Sequence, residues 1–182
     1  MRYGSVWSAL GVLLAVAVCA GCGSSGSSSK VSATHYVNAV CSAISPLEKD
    51  VVNRSSALNN TTAANATEAK KTLQGFLTAV EQDSTNALSK IQSAGTPDIS
   101  DGKAVAGTVV KAFTELRDAM RVAVTKSNSL PTDSPTSFKT AAQALGASVR
   151  GSLNNIDSSG LSNRDLEKAA AGQAACKSLS NG

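Results

Sequence analysis

The sequence has too few aromatic residues to build an aromatic core. Aromatic residues make up 3% of the chain. No stretch alternates apolar and polar residues for long, so both composition and pattern argue against a β-sheet, which favours aromatic and β-branched side chains. Alanine, serine, threonine, leucine and valine dominate instead. This composition is typical of helices whose small side chains allow close packing.

Residues that carry enzyme chemistry are equally scarce. The chain has no Glu-x-x-His pair, glycine-rich phosphate loop, Gly-x-Ser-x-Gly elbow or His-Glu-x-x-His stretch. Its single histidine, His35, has no acidic residue or cysteine within residues 31–39, so we interpret it as a surface residue rather than a general base or metal ligand. We therefore predict no catalytic, cofactor-binding or metal-binding residues, and no enzyme.

The charges are scattered rather than clustered. The chain carries 17 basic and 13 acidic residues, and Lys70 and Lys71 are the only adjacent basic pair. A nucleic-acid-binding domain would need a clustered basic face. We therefore predict no nucleic-acid partner.

The first 30 residues have the pattern of an export signal followed by a spacer. Arg2 precedes an apolar run from Val6 to Ala20, which is shorter than the roughly 20 residues of a membrane span but suits a secretory signal. Ala20-Gly21-Cys22 resembles the lipobox of bacterial lipoproteins, although Cys19 stands where that family usually has an aliphatic residue. The resemblance implies cleavage before Cys22, removal of residues 1–21 and a lipid on the Cys22 thiol.

Two alternatives to lipidation stay open at this point. Cleavage after Ala20 by ordinary signal processing would leave Cys22 as a free thiol on a secreted protein, and an uncleaved anchor is the other. The run GSSGSSS that follows Cys22 favours lipidation, because a tether without apolar residues would hold a folded body about 13–16 Å from the lipid on average. We predict a lipidated tether over residues 22–31 and a location at the outer face of the cell membrane.

Helical periodicity extends over the rest of the chain. Apolar residues recur at alternating steps of three and four, which predicts helices over 32–58, 66–94, from 100 or 101 to 128, from 135 to just before Gly160, and after Ser162. Pro46 interrupts the first helix, and Ser45 and Glu48 around it have the pattern of a capping box. Either the helix bends at Pro46, or a short helix ends there and a longer one begins.

These helices predict an all-α domain over residues 32–182. Short connections favour an antiparallel four-helix bundle with an additional short C-terminal helix. Cys41 and Cys176 are the cysteines that remain in the folded body, in a compartment that permits disulfides. We predict a Cys41–Cys176 disulfide that links the first helix to the last; the alternatives are two unpaired cysteines or a metal site, which two thiols and one distant histidine rarely complete.

The leading functional hypothesis is a lipid-anchored, non-enzymatic accessory or interaction module with an envelope protein as partner. Its high alanine, serine and threonine content resembles that of small surface lipoproteins of Actinobacteria, mycobacteria among them. The alternative is a carrier or sensor that holds an apolar small molecule between helices, with space around Phe76, Phe113 and Phe138.

Overall fold

The computed structural model describes residues 29–60, 64–156 and 163–180, and this part of the chain is mostly helical. Helices make up 81% of the described residues, which confirms the helical fold class. The helices are α1 (Ala33–Asn60), α2 (Ala66–Gln92), α3 (Gly102–Ser127), α4 (Pro135–Asn154), α5 (Arg164–Ala171) and α6 (Ala174–Ser180). Two short strands are β1 (Lys30–Val31) and β2 (Thr96–Pro97).

Polar residues cap three of these helices at their first turns. Asn65 accepts a hydrogen bond from the Glu68 backbone N–H at 2.9 Å, and Ser134 caps α4 by accepting from the Ser137 N–H at 3.1 Å. Asn163 accepts from two backbone N–H groups at the start of α5. Each cap satisfies donors that have no partner within the helix, so these helices begin within a residue or two of their predicted starts.

Helix α1 runs through Pro46 without a break, so the capping-box interpretation of Ser45 and Glu48 is wrong. Proline removes one backbone hydrogen bond from a helix interior, a local cost of about 3 kcal/mol. Ala43 and Leu47 are buried on either side of Pro46, and α2, α5 and α6 all pack on α1. Tertiary packing therefore outweighs the local stop signal.

The core lies where α1, α2 and α3 meet. Its buried side chains form four small apolar clusters, and α3 also packs on α4. Helix α4 contributes one buried residue, Leu145, while α5 has none. Among the most deeply buried apolar side chains are Tyr36, Ala43, Ala87, Leu88, Ile91 and Ala123.

A two-residue parallel pairing of β1 with β2 was not expected from the sequence, which showed no strand. Lys30 is opposite Thr96 and Val31 is opposite Pro97, in a pair too short to show alternation. Gly95 has φ +86°, and a Cβ at that position would lie 2.7 Å from the Ser29 carbonyl oxygen. Glycine therefore allows the close approach of the chain that enters at residue 29.

The predicted C-terminal helix is divided into α5 and α6. Gly172 and Gln173 separate the two helices, because glycine is among the weakest helix formers and α5 packs too lightly to compensate. Both helices pack on α1. The division leaves Cys176 on a helix of its own.

Candidate functional site

The predicted cysteine pair is joined. Cys41 on α1 and Cys176 on α6 form a disulfide with an S–S distance of 2.10 Å and a Cα–Cα distance of 5.1 Å, within the usual range for such bonds. The bond confirms the prediction that the first and last helices are neighbours. The predicted lipidation residue, Cys22, lies outside the described residues.

Helix α6 lies along the first half of α1 around this bond. The Cys176 sulfur is 3.8 Å from the Val37 carbonyl oxygen. The hydroxyl groups of Ser45 and Ser178 hydrogen bond at 3.0 Å, on the other side of the disulfide. Covalent and polar contacts thus fix α6 against α1.

An apolar pocket, here called the α1–α3 pocket, lies beside the disulfide. Helices α1 and α3 both pack on α2, and the pocket lies between them and Leu166 of α5, partly open to solvent, with a volume of about 200 Å³. Residues at steps of four, Tyr36, Val40 and Ile44, supply the α1 wall. The full lining is Tyr36, Val37, Val40, Cys41, Ile44, Val109, Phe113 and Leu166.

Tyr36 brings the one polar side-chain group of this lining. The residue is 2% exposed, and its hydroxyl has no hydrogen-bond partner within the described residues. Burial raises the pKa of Tyr36 to about 12, so the hydroxyl keeps its proton near neutral pH and remains a donor. A buried polar group without a partner costs about 1–3 kcal/mol, which makes this hydroxyl exceptional in an otherwise apolar cluster.

The sequence predicted space for a ligand around three phenylalanine rings, Phe76, Phe113 and Phe138. All three phenylalanines pack against the core clusters, and of the three Phe113 lines the α1–α3 pocket. Tyr36 was not singled out, because the apolar series was counted from Val37. Its position four residues before Val40 and eight before Ile44 is the signal that could have identified it.

A second depression lies between α1 and α2 and has a volume of about 230 Å³. Its lining includes the polar residues Arg54 and Thr72 and the apolar residues Leu58 and Phe76. The Arg54 guanidinium is already paired with Asp50. This depression offers no buried group without a partner, so the α1–α3 pocket is the stronger candidate.

Two carboxyl groups, Asp50 on α1 and Asp83 on α2, lie close together beside Arg54. The hydrogen bond from Arg54 holds the pKa of Asp50 below its usual value. Burial, followed by the hydrogen bond and charge of Asp50, raises the pKa of Asp83. Asp83 therefore binds a proton more readily in the folded chain than in the unfolded chain.

The remaining features of the described part of the chain are not arranged as a site. His35 is exposed in the first turn of α1, where its backbone N–H donates to the Ser32 hydroxyl at 3.2 Å. No group of three or more histidine, cysteine or carboxylate side chains in residues 29–60, 64–156 and 163–180 could hold a metal ion. None of the helices described here combines the length and apolar character needed to cross a membrane.

Comparison with known proteins adds no relative to this description. No family model, curated protein or solved structure matches the chain.

Proposed function

We propose that the protein is a lipid-anchored, non-enzymatic helical module that acts at the outer face of the cytoplasmic membrane. The signal-like N-terminus and the lipobox-like Ala20-Gly21-Cys22 support the anchor. The structural observation behind the proposal is the pairing of β1 with β2, which holds Lys30, eight residues after Cys22, against the folded body.

This junction is held by several bonds at one end of the fold. The Thr96 N–H donates to the Ser29 carbonyl at 3.0 Å, and the Asp98 N–H donates to the Val31 carbonyl at 2.8 Å. Lys30 forms an ion pair with Asp98, also at 2.8 Å. In this proposal the tether therefore leaves the body beside the turn between α2 and α3.

Lys30 and Val31 of the predicted tether form β1, so in this proposal the part between Cys22 and Ser29 sets the distance to the membrane. Seven residue steps span about 25 Å when fully extended and roughly 13–16 Å on average for a Gly/Ser-rich chain. A lipid at Cys22 would keep the turn between α2 and α3 closest to the headgroups. The opposite end of the helices would face outward, available to an envelope protein partner.

The proposal includes an antiparallel arrangement of α1–α4 as a four-helix bundle, with α5 and α6 packed outside α1. Contacts of α1 with α2, α2 with α3 and α3 with α4 support it. The direct connection between α3 and α4, which leaves little room for a crossover, also favours antiparallel neighbours.

The anchor is tested by detergent partitioning of the full-length protein expressed in its host. Cys22→Ala is expected to move the protein from the detergent phase to the aqueous phase of Triton X-114, because the lipid would have no attachment site. Cys19→Ala is the matched control and should stay in the detergent phase. A wild-type protein that is already aqueous would overturn the anchor and leave ordinary secretion.

The partner is tested by crosslinking intact envelopes and purifying the protein. Wild type should recover the same protein partner repeatedly, and Cys22→Ala should lose it because it leaves the membrane. Failure to recover any consistent partner from wild type would overturn the interaction role.

A second candidate function is a carrier or sensor of an apolar small molecule. The α1–α3 pocket favours it, since apolar walls with few polar groups are typical of small-molecule sites. Native mass spectrometry of protein purified from its host should show a non-covalent ligand that is lost when Val40→Phe fills the pocket. Wild-type protein that carries no such mass would count against this function.

A further inference from the structure

We infer that the α1–α3 pocket binds a small neutral molecule with a single ring and one hydrogen-bond acceptor. The Tyr36 hydroxyl donates a hydrogen bond to this acceptor. The inference rests on the second candidate function above and specifies the ligand class of that site. Volume, wall chemistry and the unpaired hydroxyl each restrict the ligand independently.

The volume restricts the ligand to about one ring. Sites for drug-sized molecules usually measure about 300–1,000 Å³, whereas the α1–α3 pocket measures about 200 Å³. A cavity of about 150 Å³ with aliphatic and aromatic walls is large enough to hold benzene. The pocket therefore fits a substituted six-membered ring and is too small for a whole fatty-acyl chain.

The walls exclude a charged ligand. None of the lining residues is ionised near neutral pH, because the pocket is formed by aliphatic side chains, one phenylalanine, one tyrosine and a disulfide-bonded cysteine. An ion transferred into such surroundings without a partner would lose several kcal/mol of hydration or change its protonation state. A neutral molecule has no such cost.

The Tyr36 hydroxyl selects for an acceptor. It is a donor without a partner, and a carbonyl, ether or hydroxyl oxygen on the ligand would satisfy it. Because the Tyr36 hydroxyl is fully buried and has no partner in the described part of the chain, the acceptor reaches it only after one wall of the pocket has moved. Helix α5 has no buried residue, so it is the wall that yields most easily to an entering ring.

The test compares two ring compounds of nearly identical shape, acetophenone and α-methylstyrene. They differ in a C=O group, which accepts a hydrogen bond, and a C=CH₂ group, which does not. Methyl-group NMR of Val40, Ile44 and Val109 in the full-length protein would follow each titration. Dissociation constants in the millimolar range, roughly, are expected for ligands of this size.

Tyr36→Phe removes the donor and keeps the ring, so it isolates the hydrogen bond. The ratio of the two dissociation constants should change about fivefold between wild type and Tyr36→Phe, the value of one net hydrogen bond. Comparing this ratio between the two proteins cancels differences in hydration and in detergent partitioning between the two compounds, because those differences are the same for both proteins. Val40→Phe should abolish binding of both, while the same change at Val122, which is 52% exposed on α3, should affect neither.

A second measurement does not depend on the Tyr36→Phe variant. Tyr36 is the single tyrosine of residues 22–182, so the protein cleaved before Cys22 gives one ring signal when it is labelled with ¹³C-tyrosine. That signal should shift with acetophenone in the manner of a phenol that donates a hydrogen bond, and α-methylstyrene should not produce this shift.

The outcomes separate the inference from the function on which it rests. If both compounds bind and the ratio is the same in wild type and Tyr36→Phe, the pocket is a binding site but the acceptor requirement is wrong. If neither compound binds, the ligand class is wrong, and the mass-spectrometric search for a native ligand decides the binding function separately.

Discussion

Removal of the Cys41–Cys176 disulfide is expected to destabilise the fold strongly. The bond joins residues that are 135 positions apart, so it restricts the unfolded chain more than a local bridge could. The chain-entropy model gives about 5 kcal/mol for a loop of this length. Measured losses for native disulfides are about 2–5 kcal/mol, which corresponds to a fall in melting temperature of roughly 5–20 °C for a domain of this size.

The loss should be concentrated at α5 and α6. These helices pack on α1, and neither α5 nor residues 174–179 of α6 include a buried residue. Without the bond they can detach while α1–α4 remain folded, so part of the lost stability is a local opening of α5 and α6 rather than unfolding of the whole domain. The value from chain entropy is therefore the upper end of the expected loss.

The assay compares wild type with the double variant Cys41→Ala/Cys176→Ala. Calorimetry would give the melting temperatures, and amide hydrogen exchange should show α6 losing protection before any other helix. Ser45→Ala/Ser178→Ala is the matched control, since it removes the neighbouring hydrogen bond but keeps the disulfide; its melting temperature should fall by only a few degrees. Unchanged melting in the cysteine double variant, or earlier loss of protection in α2 or α3, would refute the reasoning.

Three further substitutions test particular contacts by their effect on the free energy of unfolding. Gly102→Ala should destabilise the protein by about 1–3 kcal/mol, because the new Cβ would lie 1.9 Å from the Pro97 carbonyl oxygen. Gly107→Ala on the same helix is the control: its Cβ meets nothing within 4 Å, so it should stabilise by up to about 1 kcal/mol. Equal effects of the two substitutions would refute the close approach at Gly102. Asp83→Asn should raise the melting temperature at pH 7 and leave it unchanged near pH 3. The pKa of Asp83 is raised in the folded chain, so the wild type loses stability as the pH rises above the pKa that Asp83 has in the unfolded chain. A gain at both pH values would contradict this. Tyr36→Phe should stabilise the ligand-free protein by about 1–3 kcal/mol at pH 7. The gain should widen above pH 10, because the unfolded tyrosine loses its proton there while the folded one, with a pKa of about 12, keeps it, which favours unfolding of the wild type. A loss of stability at pH 7 would show that the hydroxyl has a partner.

Local signals were sufficient to predict most of the helices. Alternating steps of three and four marked each apolar face, and Ser134-Pro135 marked the start of α4. Such signals act within a few residues, so they can be read from the sequence. The disulfide was also predictable, because Cys41 and Cys176 were the only cysteines left once residues 1–22 were set aside.

The features that could not be predicted depend on contacts between distant segments. Pro46 remains inside α1 because α2, α5 and α6 all pack on this helix, and a local pattern contains no information on such distant contacts. The β1–β2 pair depends on Gly95 admitting residue 29. The candidate site depends on Tyr36 meeting Val109 and Leu166, which lie far along the chain.

The disulfide also determines how the molecule carries mechanical force. A pull between the two ends of the chain passes from the N-terminal segment to Cys41, crosses the sulfur–sulfur bond to Cys176 and continues into the C-terminus. Residues 42–175 lie outside this covalent route, so tension reaches them only through non-covalent contacts such as the β1–β2 pair. A partner that gripped the C-terminal end could therefore strain β1, the first turns of α1 and α6, while α2, α3 and α4 stayed folded for as long as the bond held.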